Sequence, residues 1–152
     1  MAEASNYTAI LAALLAHLDA AGCQNTYDYE PLAHDPGVFI SQFKTGANKI
    51  EGWTIARASF TEQRMTTGQA VRRHRFVIRG YWGVEEAAAS GKAIQERIED
   101  ICDRLRGDYD MSGTAELHDG PQGDQIDNRM FGPVLAHYGE ISIWIQELLL
   151  HR

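Results

Sequence analysis

Cysteine is scarce in this chain: Cys23 and Cys102 are the only two in 152 residues. Two cysteines build no disulfide framework, so the expectation is a fold that rests on its core in a reducing, cytoplasmic setting. Long apolar runs are missing as well. No window approaches the roughly 18 consecutive apolar residues of a membrane span. The first apolar run, residues 9–18, follows Met1-Ala2-Glu3-Ala4 without a basic flank, so no signal peptide is expected. Positive charge is in deficit. A net charge of -7 argues against a general DNA-binding module, whose footprint would be basic.

Catalytic and metal motifs are also wanting. The stretch "AAASGKA" has the Gly-Lys pair of a phosphate loop, but Glu86 stands where the first glycine belongs and Ala93 replaces the Ser/Thr that would hold Mg²⁺. It reads as an ordinary helix segment. Glu116, Asp119, Asp124 and Asp127 form an acidic stretch that matches no EF-hand spacing, which favours a solvated loop. The six histidines include no H-x-x-x-H pair. His118 and His137 lie in expected strands where they could be neighbours, with His74 as a third; surface or interface roles suit such residues better than a metal site. Cys102 sits on the apolar stripe of an expected helix, where a thiol is inert rather than nucleophilic. No catalytic, cofactor or metal residues are therefore assigned.

What is present suits one domain, residues 1–152, with 44% hydrophobic and 23% charged residues. Tyr7, Ile10, Leu11, Leu14, Leu15 and Leu18 share one face of a first helix, with Ser5 or Asn6 as cap and Gly22 as terminator. Asp35-Pro36 opens a short helix carrying Phe39, Ile40 and Phe43. Residues 50–60 and 71–82 read as strands, with Thr66-Thr67-Gly68 as the loop between them. A second helix is expected over residues 84–106, with Glu85 and Glu86 in its first turn and Ser90-Gly91 as a kink. Short strands over 114–118 and 125–130 and a long one over 134–148 follow. The order predicts an α+β fold: a mostly antiparallel sheet of four to five strands with helices packed on one face.

Charge is segregated within this pattern. From Arg57 to Arg79 there are six arginines against one acid, Glu62, a net of +5, which leaves -12 on the rest of the chain. The strand "RRHRFVIRGYWG" alternates, so Arg75, Arg79 and Tyr81 point away from Phe76, Ile78 and Trp82. Its polar face has three readings: plain solvation, a nucleic-acid surface with stacking aromatics, or a subunit interface. Arginine and aromatics favour the interface. On that reading Arg72, Arg73, Arg75, Arg79 and Tyr81 meet an acidic helix face of a neighbour, formed by Glu96, Glu99, Asp100 and Asp103.

The run "RRHRFVIRGYWGVEEAAASGKAIQERIEDICDRLR", then "GTAELHDGPQ" and "NRMFGPVLAHYGEISIWIQE", resembles the tail terminator (tail completion) proteins of long-tailed phages and prophages. The likeness spans roughly residues 30–148 in order and style. It implies a structural protein with no chemistry and no cofactor. Such proteins form rings, typically hexamers, on the end of a finished tail tube. They stop tube growth and present a surface to the head connector, while DNA passes through the opening without specific binding. The expected partners are thus other copies of the chain, the tail tube protein and the connector, with no membrane. The expected place is the virion's head–tail junction, after assembly in the host cytoplasm. The alternatives are another head–tail joining protein, a small nucleic-acid-binding protein, or a metal-dependent α+β protein using His118 and His137.

Overall fold

Apolar residues three and four positions apart wind the N-terminal segment into α1, Tyr7–Ala20, in the computed structural model. The structure describes residues 6–30, 43–44, 49–85, 89–131 and 134–150. Asn6 caps α1 without a side-chain bond; its backbone N–H instead donates to Glu147 Oε1 at 2.9 Å, and its amide to the Thr114 carbonyl at 3.0 Å. Gly22, at φ +86°, takes the left-handed turn after the helix that glycine adopts without a Cβ penalty.

A two-residue strand, β1 (Thr26–Tyr27), runs parallel to β2 (Glu51–Thr66). β2 turns through Thr67-Gly68 into β3 (Gln69–Gly83), and the two form a long antiparallel hairpin. Helix α2 covers Ser90–Arg106. It is followed by β4 (Leu117–His118), β5 (Gln122–Phe131) and β6 (Val134–Leu150). β6 lies antiparallel to β3 on one side; on the other it pairs with β5 along its first half and with β4 near its end. The sheet order is β1-β2-β3-β6-β4, with β5 also on β6.

The fold is α+β, a mostly antiparallel sheet with two helices among the described residues. Among the described residues the sheet has six strands, not the four to five expected, because β1 is only two residues long and carries no apolar alternation to announce it. Helix α2 begins at Ser90 rather than residue 84. Ala89 is left-handed (φ 50°, ψ 51°), a conformation that no helix interior tolerates, so Glu85 precedes the helix and Ser90-Gly91 start it rather than kink it. The expected short helix after Asp35-Pro36 falls largely outside the described residues, though Phe43 is buried.

One sheet face packs on both helices. Trp53, Ile55, Phe76, Ile78, Ile141, Ile143 and Ile145 meet Ile10, Leu14 and Leu18 of α1 and Ile94, Ile98, Ile101 and Leu105 of α2. Each such aliphatic side chain contributes about 1.5–3 kcal/mol by leaving water. Glycine makes room where a ring crosses the sheet: a Cβ on Gly80 would lie 2.3 Å from the Trp53 indole.

Candidate interaction surface

The alternation of β3 puts Arg73, Arg75, Val77, Arg79 and Tyr81 on the face away from the helices. Their partners come from within the chain. Arg73 bonds Asp119 at 2.6 Å and covers the Trp144 ring at 5.2 Å. Arg75 lies 3.7 Å from Asp124. Arg79 pairs with Glu30 and lies 4.0 Å from Glu140, its neighbour on β6. Tyr81 stacks on Phe43 with ring centroids 5.0 Å apart and meets the edge of Phe131 at 5.2 Å. Tyr138 donates to Glu140 at 2.7 Å and lies beneath the Arg129 guanidinium at 4.1 Å. Burial pushes both tyrosine hydroxyls above their usual pKa, so they stay protonated donors.

Arg72 stands apart from this group. It lies in register with Glu147, on the helix-bearing side, bonds Glu62 at 2.7 Å and covers the Phe60 ring at 5.1 Å. Glu96, Glu99, Asp100 and Asp103 belong to α2, across the sheet from Arg73, Arg75, Arg79 and Tyr81. Lys92 reaches Glu96 at 3.8 Å, Arg104 reaches Asp100 at 3.6 Å and Arg106 reaches Asp103 at 2.8 Å, all in partly or fully solvated settings. The arginine strand and the acidic helix face are thus separated by the sheet within one subunit.

The histidines do not gather. His74 and His118 flank Ile145 from opposite sides, while His137 lies eight positions along β6, roughly 26 Å away at strand rise. His118 donates to the Leu105 carbonyl at 2.7 Å, which ties β4 to the end of α2. His137 bonds Ser90 Oγ at 2.8 Å through Nε2 and the Asn128 side chain through Nδ1. That order resembles an activated serine, but Ser90 is buried and its oxygen already accepts the Glu85 N–H at 2.7 Å. The network fixes the start of α2 against β5 and β6. Among the described residues no group of three His, Cys, Asp or Glu could hold a metal ion. Burial raises the thiol pKa of Cys102, and that of Cys23 to about 12, so both are protonated at neutral pH.

A cleft of about 630 Å³ opens between α2 and the start of β2, with Lys44, Lys49 and Arg97 on its walls. Arg97 is engaged there: it lies 3.3 Å from Glu51 and covers the Trp82 ring at 5.4 Å. Glu51 also accepts the Gln24 N–H at 2.7 Å and the Trp53 indole N–H at 3.0 Å, which joins the α1 exit, β2 and α2.

Sequence reasoning missed the most exposed part of the sheet. Residues 58–66 of β2 are exposed one after another, although two are large and apolar: Phe60 at 47% and Met65 at 57%. Residues 122–128 of β5, at the other edge, are likewise exposed, and Ile126, Met130 and Leu135 are apolar among them or close by. The signal was a strand pattern that turns polar after Phe60 yet keeps β-forming residues.

No protein-family model matches the chain, and no curated protein matches it.

Proposed function

We propose that this chain is a structural protein of a phage or prophage tail. It forms a ring that caps the tail tube, ends tube growth and joins the tail to the head connector. The observation that carries the reading is the outer half of the β2–β3 hairpin. It extends past the helical layer and exposes Phe60 and Met65, with no described element covering residues 58–66. A long hairpin arm with apolar side chains partly in water suits a subunit that completes its packing in an assembly. Covering the exposed half of each side chain would contribute about 1 kcal/mol, repeated at every contact of a ring.

The resemblance of residues 30–148 to tail terminators supports the same reading. The partners are other copies of this chain, the tube protein and the connector, at the head–tail junction of the virion. DNA passes through the opening without sequence reading. Light scattering and negative-stain microscopy of the purified chain, alone and with tail tubes, test this. The expected result is closed rings, free or at one end of the tubes; chains that form neither would overturn the proposal.

A further inference from the structure

The sheet has two open edges of comparable length. β1 covers β2 only at Trp53 and Thr54, so residues 55–66 have no strand on their outer side among the described residues. β5 is ten residues long and pairs with β6 alone. Neither β2 nor β5 contains proline, the common device for blocking an edge. Each has bulges, between Arg57 and Ser59 and between Arg64 and Thr66 in β2, and between Gly123 and Gln125 in β5. These interrupt the ladder locally and leave stretches of regular strand on either side.

We infer that the two edges are complementary: the outer half of β2 in one copy pairs antiparallel with β5 of the next, making one continuous sheet around the ring. The inference rests on the terminator reading and names the contact that builds the ring.

Strand direction supports it. β2 runs antiparallel to β3, β3 to β6, and β6 to β5, so β5 runs opposite to β2. A second copy placed beside the first in the same orientation therefore presents β5 antiparallel to β2, the pairing with two-way hydrogen bonds. The faces match too. Phe60 lies opposite His74, and Ile126 opposite Gly139, both on the side of the sheet that carries the helices. Joining the edges puts Phe60 beside Ile126 and Met130. Charge does not oppose it: Glu62 pairs with Arg72 and Asp127 with Arg129 within each copy, so neither edge brings a block of like charge to the other.

The register also fixes a stagger. Thr61 is level with Gln146 of β6 through Arg73, whereas Asp127 is level with Tyr138, eight positions earlier on β6. Each copy is therefore displaced about 26 Å along the strands for about 19 Å of sheet width. A closed ring absorbs that displacement when its strands tilt by roughly 54° from the ring axis, steeper than the roughly 35–45° typical of closed barrels.

The full chain carrying Gln63→Cys and Gln125→Cys together tests the contact, in a Cys102→Ser background and with a short bis-maleimide linker. Both positions are exposed, on β2 and β5 respectively. Within one subunit they lie too far apart for the linker, so any bridge between them joins two copies. The expected result is a ladder of linked species up to the full ring from the double variant, and none from either single variant. Linked dimers from Gln63→Cys alone would overturn the inference in favour of a two-fold contact between arms. Rings that form normally but yield no ladder would overturn it while leaving the terminator reading intact. A chain that forms no ring, free or at tube ends, would instead overturn the terminator reading on which the inference stands.

Discussion

The His74 imidazole donates through Nε2 to the Glu147 carboxylate across the β3–β6 ladder, at 2.5 Å, with both side chains withdrawn from water. The other oxygen of Glu147 accepts the Asn6 N–H, so one buried pair joins the start of α1 to the last turn of the sheet. Arg57 lies 3.4 Å from His74 Nδ1 and covers the Tyr7 and Phe60 rings, which carries the same network to the base of the arm.

Burial holds the His74 pKa below its ordinary value of 6.5, against the upward pull of Glu147. A lowered histidine pKa means that the unfolded chain takes up a proton that the folded chain resists. The stability this group contributes is therefore full above pH 6.5 and is lost as pH falls below it. Thermal midpoints measured between pH 7.5 and 5.5 should fall on the acid side. His74→Gln, which keeps an N–H donor for Glu147, should show a flatter profile. Parallel profiles for the two proteins would contradict this account.

Two glycines on the helix-bearing face predict unequal costs. A Cβ on Gly80 would lie 2.3 Å from the rigid Trp53 ring, whereas one on Gly139 would lie 2.6 Å from the Cδ1 end of Ile98. Gly80→Ala should destabilise by about 1–3 kcal/mol in urea denaturation. Gly139→Ala should cost less, since an isoleucine tip moves aside more easily than an indole.

The arginines of β3 should also separate. Arg79 balances Glu30 and Glu140, so Arg79→Glu places three carboxylates together and should lower monomer stability by about 1 kcal/mol or more. Arg75 lies 3.7 Å from one carboxylate in a half-exposed setting, so Arg75→Glu should cost less than about 1 kcal/mol. Urea midpoints of the two variants check the order. Any loss of ring formation in Arg75→Glu then reports on the contact rather than on folding.

The legible parts of this fold were those with a buried face. Ile10, Leu14 and Leu18 marked α1, and Phe76, Ile78 and Trp82 marked β3, because burial imposes a period on the sequence. β5 was placed too short and β2 was ended too early, because residues 58–66 and 122–128 are exposed on both faces and carry no period. The start of α2 was misplaced because residues 84–89 are helix formers, and only the left-handed backbone of Ala89 shows that the helix begins after them. The ion pairs of the arginine strand were out of reach for a different reason. Arg73 and Asp119 are 46 positions apart, and only the β3-β6-β4 order brings them together. The exposed arm at the centre of the proposed site was therefore the part that pattern reading could least detect.

The most direct test of the ring is the mass of the assembly formed by the natural chain and by Phe60→Ser/Met65→Ser, measured by light scattering. Met65 is more than half in water, and Phe60 about half with Arg57 and Arg72 over its ring, so the variant should lose no more than about 1–2 kcal/mol in urea denaturation and stay folded. The account predicts a closed ring, a whole multiple of the 17.0 kDa chain, for the natural protein and at least a tenfold weaker assembly for the variant. Equal assembly by both proteins, or a natural chain that stays monomeric both free and in the presence of tail tubes, would contradict it.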